Sequence, residues 1–147
     1  MKWTRRHAAA VTLAVLLAGA CGESAEPFGP MTLAGQYRAV VLTTHFDLQE
    51  GPSLPVVDQL EHGATVALRL RADSTATGSV FWPDRGTDGG DFSQVFTGTW
   101  TTNGAIVLVD AQGYTFLEEF GFAITDTRLV GDAVIGGETI HLELGKD

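Results

Sequence analysis

The stretch Gln94–Val109, QVFTGTWTTNGAIVLV, reads as two strands and the turn between them. Side chains alternate across a strand, so Phe96, Gly98 and Trp100 share one face. Asn103-Gly104 is the strongest short hairpin signal, because a type I′ turn needs positive φ at both central residues. It leads into the strand Ala105–Val109. Gly98 leaves room beside two large rings, and that room is either closed by a neighbouring strand or open to a ligand.

The same reading extends in both directions. Gln36–Leu48 is a long first strand, with Val40, Leu42, Phe46 and Leu48 on one face and Tyr37, Val41, Thr43, His45 and Asp47 on the other. Ala64–Arg71 alternates Val66, Leu68 and Leu70 against Thr65, Arg69 and Arg71. Thr75–Trp82 is rich in β-formers and stops at Pro83. Downstream come Tyr114–Leu117, Phe120–Thr125 and Leu129–Ile135, then a Gly136-Gly137 turn into Thr139–Leu144, where Ile140, Leu142 and Leu144 face inward. Eight or nine short strands with hairpin-length turns predict an all-β, antiparallel up-and-down meander. Too few residues remain for crossover helices. Closing the meander into a barrel of about eight strands removes its two open edges. The one long break, Gln49–Gly63, contains Pro52 and Pro55. It is either a lid or short helix on one mouth, or a mobile surface loop.

The chain has 147 residues and a net charge of −9, with 44% hydrophobic and 18% charged residues. That is one folded domain rather than a disordered chain. An acidic chain lacks the electrostatic footprint of a nucleic-acid binder.

Lys2, Arg5 and Arg6 precede a charge-free run from Ala8 to Ala20. Thirteen helical residues at ~1.5 Å each reach only about 20 Å, too short for a ~30 Å hydrocarbon core. The run fits a signal peptide. Arg5-Arg6 is followed by His7-Ala8-Ala9 without a bulky apolar pair, which favours the general secretory route. Ala18-Gly19-Ala20-Cys21 resembles the end of a bacterial lipoprotein signal. That resemblance implies cleavage after residue 20 and lipidation of Cys21, with a signal at 1–20, a lipidated tether at 21–32 and a domain at 33–147. Gly22 in place of Asp implies an outer-membrane address, in the cell envelope facing the periplasm or the cell surface. The alternative is an ordinary secretory signal that leaves Cys21 free. Losing Lys2, Arg5 and Arg6 would take the net charge from −9 to −12. Such a body gains nothing from anionic lipid heads, so its membrane partnership rests on the lipid at Cys21. Glu23, Glu26, Pro27, Gly29 and Pro30 give the tether its composition. With one cysteine, no disulfide forms within the chain, and the fold rests on its core.

At Gly35-Gln36-Tyr37 the chain resembles the first strand of lipocalins and of small bacterial lipocalin-like lipoproteins. Leu68-Arg69-Leu70-Arg71-Ala72-Asp73-Ser74-Thr75 is similar to that family's apolar strand and Asp-Gly-Thr turn, with Ser74 in the glycine's place. Gly98-Thr99-Trp100 with Asn103-Gly104 is similar to its later strand and hairpin. The resemblance covers about Leu33 to Leu144 and implies an up-and-down barrel.

No nucleophile elbow, phosphate loop or His-Glu-x-x-His motif occurs, so the chain is not expected to be an enzyme and no cofactor is expected. Glu118-Glu119 reads as a turn or bulge pair rather than a catalytic dyad. The acidic glycine loop Asp84–Asp91 reads as a solvated hairpin loop, since it lacks the EF-hand spacing for calcium. His45 and Asp47 on the first strand, and His141 and Glu143 on the last, meet on the outer wall if the barrel closes. Two imidazoles and a carboxylate there suit zinc, while the simpler reading is a solvated polar face, and no metal site is assigned. The expected interior lining is Leu42, Phe46, Leu68, Trp82, Phe96, Trp100, Phe122 and Leu142. An eight-stranded barrel either fills with side chains or holds one small ligand. Two functions follow: binding of a small apolar ligand, or a structural or inhibitor-like protein-interaction role with a filled barrel.

Overall fold

The computed structural model of the protein describes residues 30–46 and 54–147. The expected signal, Cys21, Asp47 and Leu48 lie outside the described residues. The elements are a helical turn α1 (Pro30–Leu33) and the strands β1 (Gly35–Phe46), β2 (Val57–Asp58), β3 (Thr65–Leu70), β4 (Thr75–Trp82), β5 (Phe92–Asn103), β6 (Ile106–Ala111), β7 (Gly121–Thr125), β8 (Arg128–Ile135) and β9 (Glu138–Lys146). A 3-10 turn, Phe116–Glu119, separates β6 from β7. Every neighbouring pair is antiparallel, and β1 pairs with β9 from Tyr37–Lys146 to Phe46–Glu138. Eight strands therefore close into a barrel. β2 is a ninth, two-residue strand beside the upper half of β1, on the same edge that β3 occupies lower down.

The alternation read from the sequence holds in β3, β5 and β9, where Val66, Leu68, Leu70, Phe96, Trp100, Ile140, Leu142 and Leu144 are buried. It fails once, in β1. There the pairing steps from Ala39–Leu144 to Val41–Glu143, so Val40 is an extra residue. A bulge of this kind shifts the two-residue period by one. Tyr37 consequently points inward and is buried, Val40 is exposed, and Leu42 and Thr44 again point inward. Of the face expected to hold Val40, Leu42 and Phe46, only Leu42 is buried inside.

Two other expectations change. Tyr114–Leu117 is not a strand. Thr115, Phe116 and Leu117 are three consecutive buried residues, which a two-faced strand cannot provide, and the chain takes a 3-10 turn instead. The Asn103-Gly104 turn is also one residue out. Asn103 pairs with Ile106, the loop is Gly104-Ala105, and only Gly104 has positive φ, 61°. Gly136-Gly137, with φ of 61° and 84°, is the turn with two left-handed residues. Ser74 adopts φ 65°, the left-handed position for which the related turn has glycine. Asp73 holds that turn by accepting from the Thr75 hydroxyl (2.6 Å) and N–H (3.0 Å), bonds that lower the Asp73 pKa.

The body of the barrel is filled. Leu42, Val107, Phe122, Leu142 and Leu144 have no solvent-accessible surface, and Phe96 and Trp100 are buried. The gap at Gly98 is closed by β6: a Cβ there would collide with the Asp110 carbonyl oxygen and lie 2.6 Å from Ala111 Cα. Gly131 similarly leaves space for the stacked rings of Phe120 and Phe122, whose centroids are 5.2 Å apart.

At the lower end α1 lies across the barrel, beside a hollow of about 340 Å³ bordered by Leu33, Tyr37, Ile124 and Leu129. Tyr37 Oη donates to the Leu33 carbonyl (2.6 Å), and Lys146 Nζ donates to that of Thr32 (2.8 Å). The helical turn α1 thus includes residues 30–32, at the end of the stretch read as tether. Trp100 Nε1 donates to the Arg71 carbonyl (2.9 Å).

Two substitutions test this packing. Trp100→Ala should cost about 3–5 kcal/mol in urea-induced unfolding, through lost burial and an unfilled cavity. Gly98→Ala should cost about 1–3 kcal/mol, although it adds only a methyl group, because β6 backbone rather than a flexible side chain must move. A neutral Gly98→Ala would show that β6 does not pass over this residue.

Candidate functional site

The interior changes character at the upper end, where β1 stops at Phe46, β4 at Trp82 and β8 at Ile135, and where β5 and β9 begin. Inward positions there carry polar residues. Thr44 follows Leu42 on β1, Gln94 precedes Phe96 on β5, and Glu138 precedes Ile140 on β9. Thr44 and Glu138 are joined through Gln59, Trp82 and Arg85, while Gln94 bonds the Tyr114 carbonyl. Gln59 Nε2 donates to Thr44 Oγ1 (2.8 Å), and Trp82 Nε1 donates to Gln59 Oε1 (3.0 Å). Arg85 grips Glu138 with both terminal nitrogens, at 2.6 and 2.7 Å, and its guanidinium lies 5.1 Å from the Trp82 ring centroid. Glu138 is 6% exposed, so its charge is held almost entirely by Arg85.

Beside this pair lies a cleft of about 250 Å³. Its apolar wall is Trp82, Phe92, Phe116, Ile135 and Ile140, and its polar groups are Arg85, Gln94, Tyr114 and Glu138. Strand lengths explain why the wall opens here. β5 continues from its last β6 pairing, Gly98–Ala111, to Phe92 with no β6 alongside. β8 continues from its Val130–Ala123 pairing to Ile135 with no β7 alongside. The segment 112–120 crosses this opening. It is fastened by Gln112 N–H to the Thr97 carbonyl (2.7 Å), by Gln94 Nε2 to the Tyr114 carbonyl (2.5 Å), and by the Ala111 N–H to Glu118 Oε1 (2.8 Å). Two buried acceptors in this region have no partner, Gln94 Oε1 and Thr115 Oγ1. On the other side of the Arg85–Glu138 pair is a hollow of about 460 Å³, bordered by Phe46, Leu54, Pro55 and Val57.

Of the eight expected lining residues, Leu42, Leu68, Trp82, Phe96, Trp100, Phe122 and Leu142 are in the core. Only Trp82 also borders the mouth cleft. Phe46 is 39% exposed, a correction to its expected place inside: it stands beyond the last buried inward residue, Thr44, and borders the outer hollow. Sequence reasoning missed Arg85, Gln94 and Glu138. The signal for two of them was present, because Gln94 and Glu138 continue the inward alternation of Phe96-Gly98-Trp100 and Ile140-Leu142-Leu144. Arg85 carried no such signal. The break Gln49–Gly63 forms no helix over its described residues. It contributes β2, then a turn at residues 59–63 with Gln59 buried.

The remaining candidates resolve as follows. Glu118 caps the end of β6 through the Ala111 N–H, and the Asp84–Asp91 loop is closed by Gly86 N–H to the Gly90 carbonyl (2.6 Å). His141 lies opposite Thr43 and His45 opposite Thr139 on the closed wall. His141 Nδ1 meets Asp132 Oδ1 at 2.8 Å and its Nε2 meets Glu143 Oε1 at 3.4 Å. Among the described residues, no group of three metal-ligating side chains forms a cation site. Partial burial pulls the His141 pKa down, but its bonds to Asp132 and Glu143 and their charges outweigh that and raise it. Glu143 is lowered first by its bond from Arg128 (2.6 Å). Compared with protein families, curated proteins and solved structures, the chain has no match in any of the three. The fold itself, a closed antiparallel eight-stranded barrel with one extra strand, defines the class.

The outer-wall cluster gives a pH test. A histidine whose folded pKa is raised stabilises fully below its unfolded value, near 6.5, and loses that contribution as pH rises through the folded value. Replacing His141 by Asn should therefore destabilise more at pH 5.5 than at pH 8.5, read from urea midpoints. An equal loss at both pH values would show that the imidazolium is not held by Asp132 and Glu143.

Proposed function

We propose that the chain is a lipid-anchored, lipocalin-like protein of the cell envelope that binds a small apolar molecule at the upper mouth of its barrel. The observation that carries this reading is the apolar cleft walled by Trp82, Phe92, Phe116, Ile135 and Ile140 beside a neutralised Arg85–Glu138 pair. A concave, mostly apolar site with a few fixed polar groups is the usual form of a small-molecule site. The site sits at the mouth because the body of the barrel is filled by its own side chains. Trp82 in the wall provides the readout. N-phenyl-1-naphthylamine should quench tryptophan emission by energy transfer in the wild type. The quenching should weaken sharply in Ile135→Asp, a change at a half-buried cleft residue that also packs against the core, with retention of the fold checked by circular dichroism. Quenching that is absent, or untouched by Ile135→Asp, would remove the mouth-site reading.

The anchor follows from Ala18-Gly19-Ala20-Cys21. On detergent phase partitioning, the wild type should enter the detergent phase and Cys21→Ser should stay in the aqueous phase, because serine lacks the thiol to be lipidated. Equal partitioning into the aqueous phase would exclude lipidation.

A second reading, a protein-interaction role with a filled barrel, is favoured by one observation. Phe81 and Val95 stand on the outer face of adjacent strands, and Val95 is 81% exposed.

A further inference from the structure

The opening in the barrel wall leaves the upper stretch of β5 without a strand beside it. Along a paired strand the main-chain groups of successive residues point alternately to the two neighbours. The Thr97 carbonyl points to the β6 side, where it accepts from the Gln112 N–H (2.7 Å). Val95 and Ser93 follow at intervals of two, so their N–H and C=O groups point the same way. Pairing with β6 has ended at Gly98–Ala111, and among the described residues no hydrogen bond reaches these groups. The crossing segment does not pair with them. Above Gln112 it is held by the Gln94 side chain, an inward group, which keeps Tyr114 toward the inner side of the strand. Ser93 and Val95 are both exposed.

Proteins blunt a free edge with charges, prolines or bulges. Phe92–Thr97 has no charged residue and no proline, and its register with β4 runs without a bulge. The free stretch of β8 is better guarded. It carries Asp132, and the Phe120 and Phe122 rings pack against Gly131.

Charge decides what adds to β5. Asp84, Asp88 and Asp91 are exposed in the loop that leads into it, and Glu119 is exposed in the crossing segment. None of the four meets a cation among the described residues. Arg85 is the one arginine or lysine of the described upper loops, and Glu138 holds it. A second copy would bring another acidic chain, of net charge −9, to this acidic rim. A basic segment is attracted to it.

We propose that the upper stretch of β5 accepts an extended, basic segment of a partner protein as an added strand. The segment bonds the main chain of Ser93 and Val95, sets an apolar side chain beside Val95 on the outer face, and brings Lys or Arg to the acidic loop. The proposal rests on the interaction reading and not on the mouth cleft. Its failure leaves the naphthylamine site standing, and the reverse holds.

The test is an amide-resolved NMR titration of the full, nitrogen-labelled chain with acetyl-Lys-Val-Thr-Val-Lys-Val-amide. The Ser93 and Val95 amide signals should shift, and their hydrogen exchange should slow. An analogue methylated on its backbone nitrogens keeps the side chains and loses the donors, so it should bind about tenfold or more weakly. The peptide with Glu for Lys should also bind more weakly, by a margin that shrinks in salt. Val95→Pro removes an edge N–H that β4 does not use, and should weaken binding of the lysine peptide about tenfold. No binding at about 1 mM, or equal binding of the methylated analogue, would overturn strand addition. Equal binding of the Glu peptide would overturn the basic partner. A dimer of the peptide-free chain in sedimentation, lost in Val95→Pro, would make the occupant a second copy. The wild-type peptide comparison decides the matter even if Val95→Pro does not fold.

Discussion

The architecture depends on β1 being paired along both edges at once. One edge runs the length of β9, and the other is shared between β3 below and β2 above. Without the β1–β9 ladder the remaining strands would be an open sheet with two unpaired edges. A strand of twelve residues that closes a barrel must bend, and the extra residue at Val40 provides the bend. Gly145 makes the bulge tolerable. A Cβ there would lie 2.9 Å from Val40 Cγ1, so glycine gives the bulged side chain somewhere to lie. The bulge also decides the chemistry at both ends of β1. Below it Tyr37 turns inward and bonds the Leu33 carbonyl, tying α1 to the base. Above it Leu42 and Thr44 turn inward, and Thr44 begins the polar network of the mouth.

Body and mouth are built from the same inward positions with different side chains. In the body, glycines and rings interlock: Gly78 lies under Phe96, and Gly131 under Phe120 and Phe122. From Phe122 the rings continue upward through Phe120 and Phe116 to Trp82, with centroids 5.2 to 5.8 Å apart. This column joins the filled interior to the wall of the cleft, so the cleft rests on a rigid apolar floor. Above it, polar side chains occupy inward positions, and the network is complete except at Gln94 and Thr115. A buried polar network stabilises a structure only when its members are satisfied. Unsatisfied polar atoms next to the stretch of wall where β6 and β7 fall short distinguish this end from the base, over which α1 lies.

The sequence made the fold legible because alternation and turn chemistry agreed along most of the chain. Ile140-Leu142-Leu144 and Val66-Leu68-Leu70 face inward as their spacing indicates, and Gly136-Gly137 turns as two glycines should. The bulge was not legible, since Tyr37 and Val40 are both plausible inward residues and only pairing to β9 reveals the extra one. Tyr114–Leu117 misled for a related reason: its apolar residues suit a strand, but three neighbours are buried together. The candidate site was only half legible. Polar residues that continue an inward face, Gln94 and Glu138, mark a mouth if the alternation is followed past the last apolar residue. Arg85 sits in a glycine-rich loop, and nothing in its neighbours announces that it folds back over Trp82 to meet Glu138 fifty-three residues later.

The two ends of the barrel also differ in construction. The chain enters at the base, where α1, Tyr37 and Lys146 lock the first and last strands together. Twelve residues of β1 at ~3.3 Å each, tilted as in closed barrels, put the mouth on the order of 30 Å from that entry point. Under the anchoring proposed at Cys21, the attachment and the cleft lie at opposite ends of the barrel.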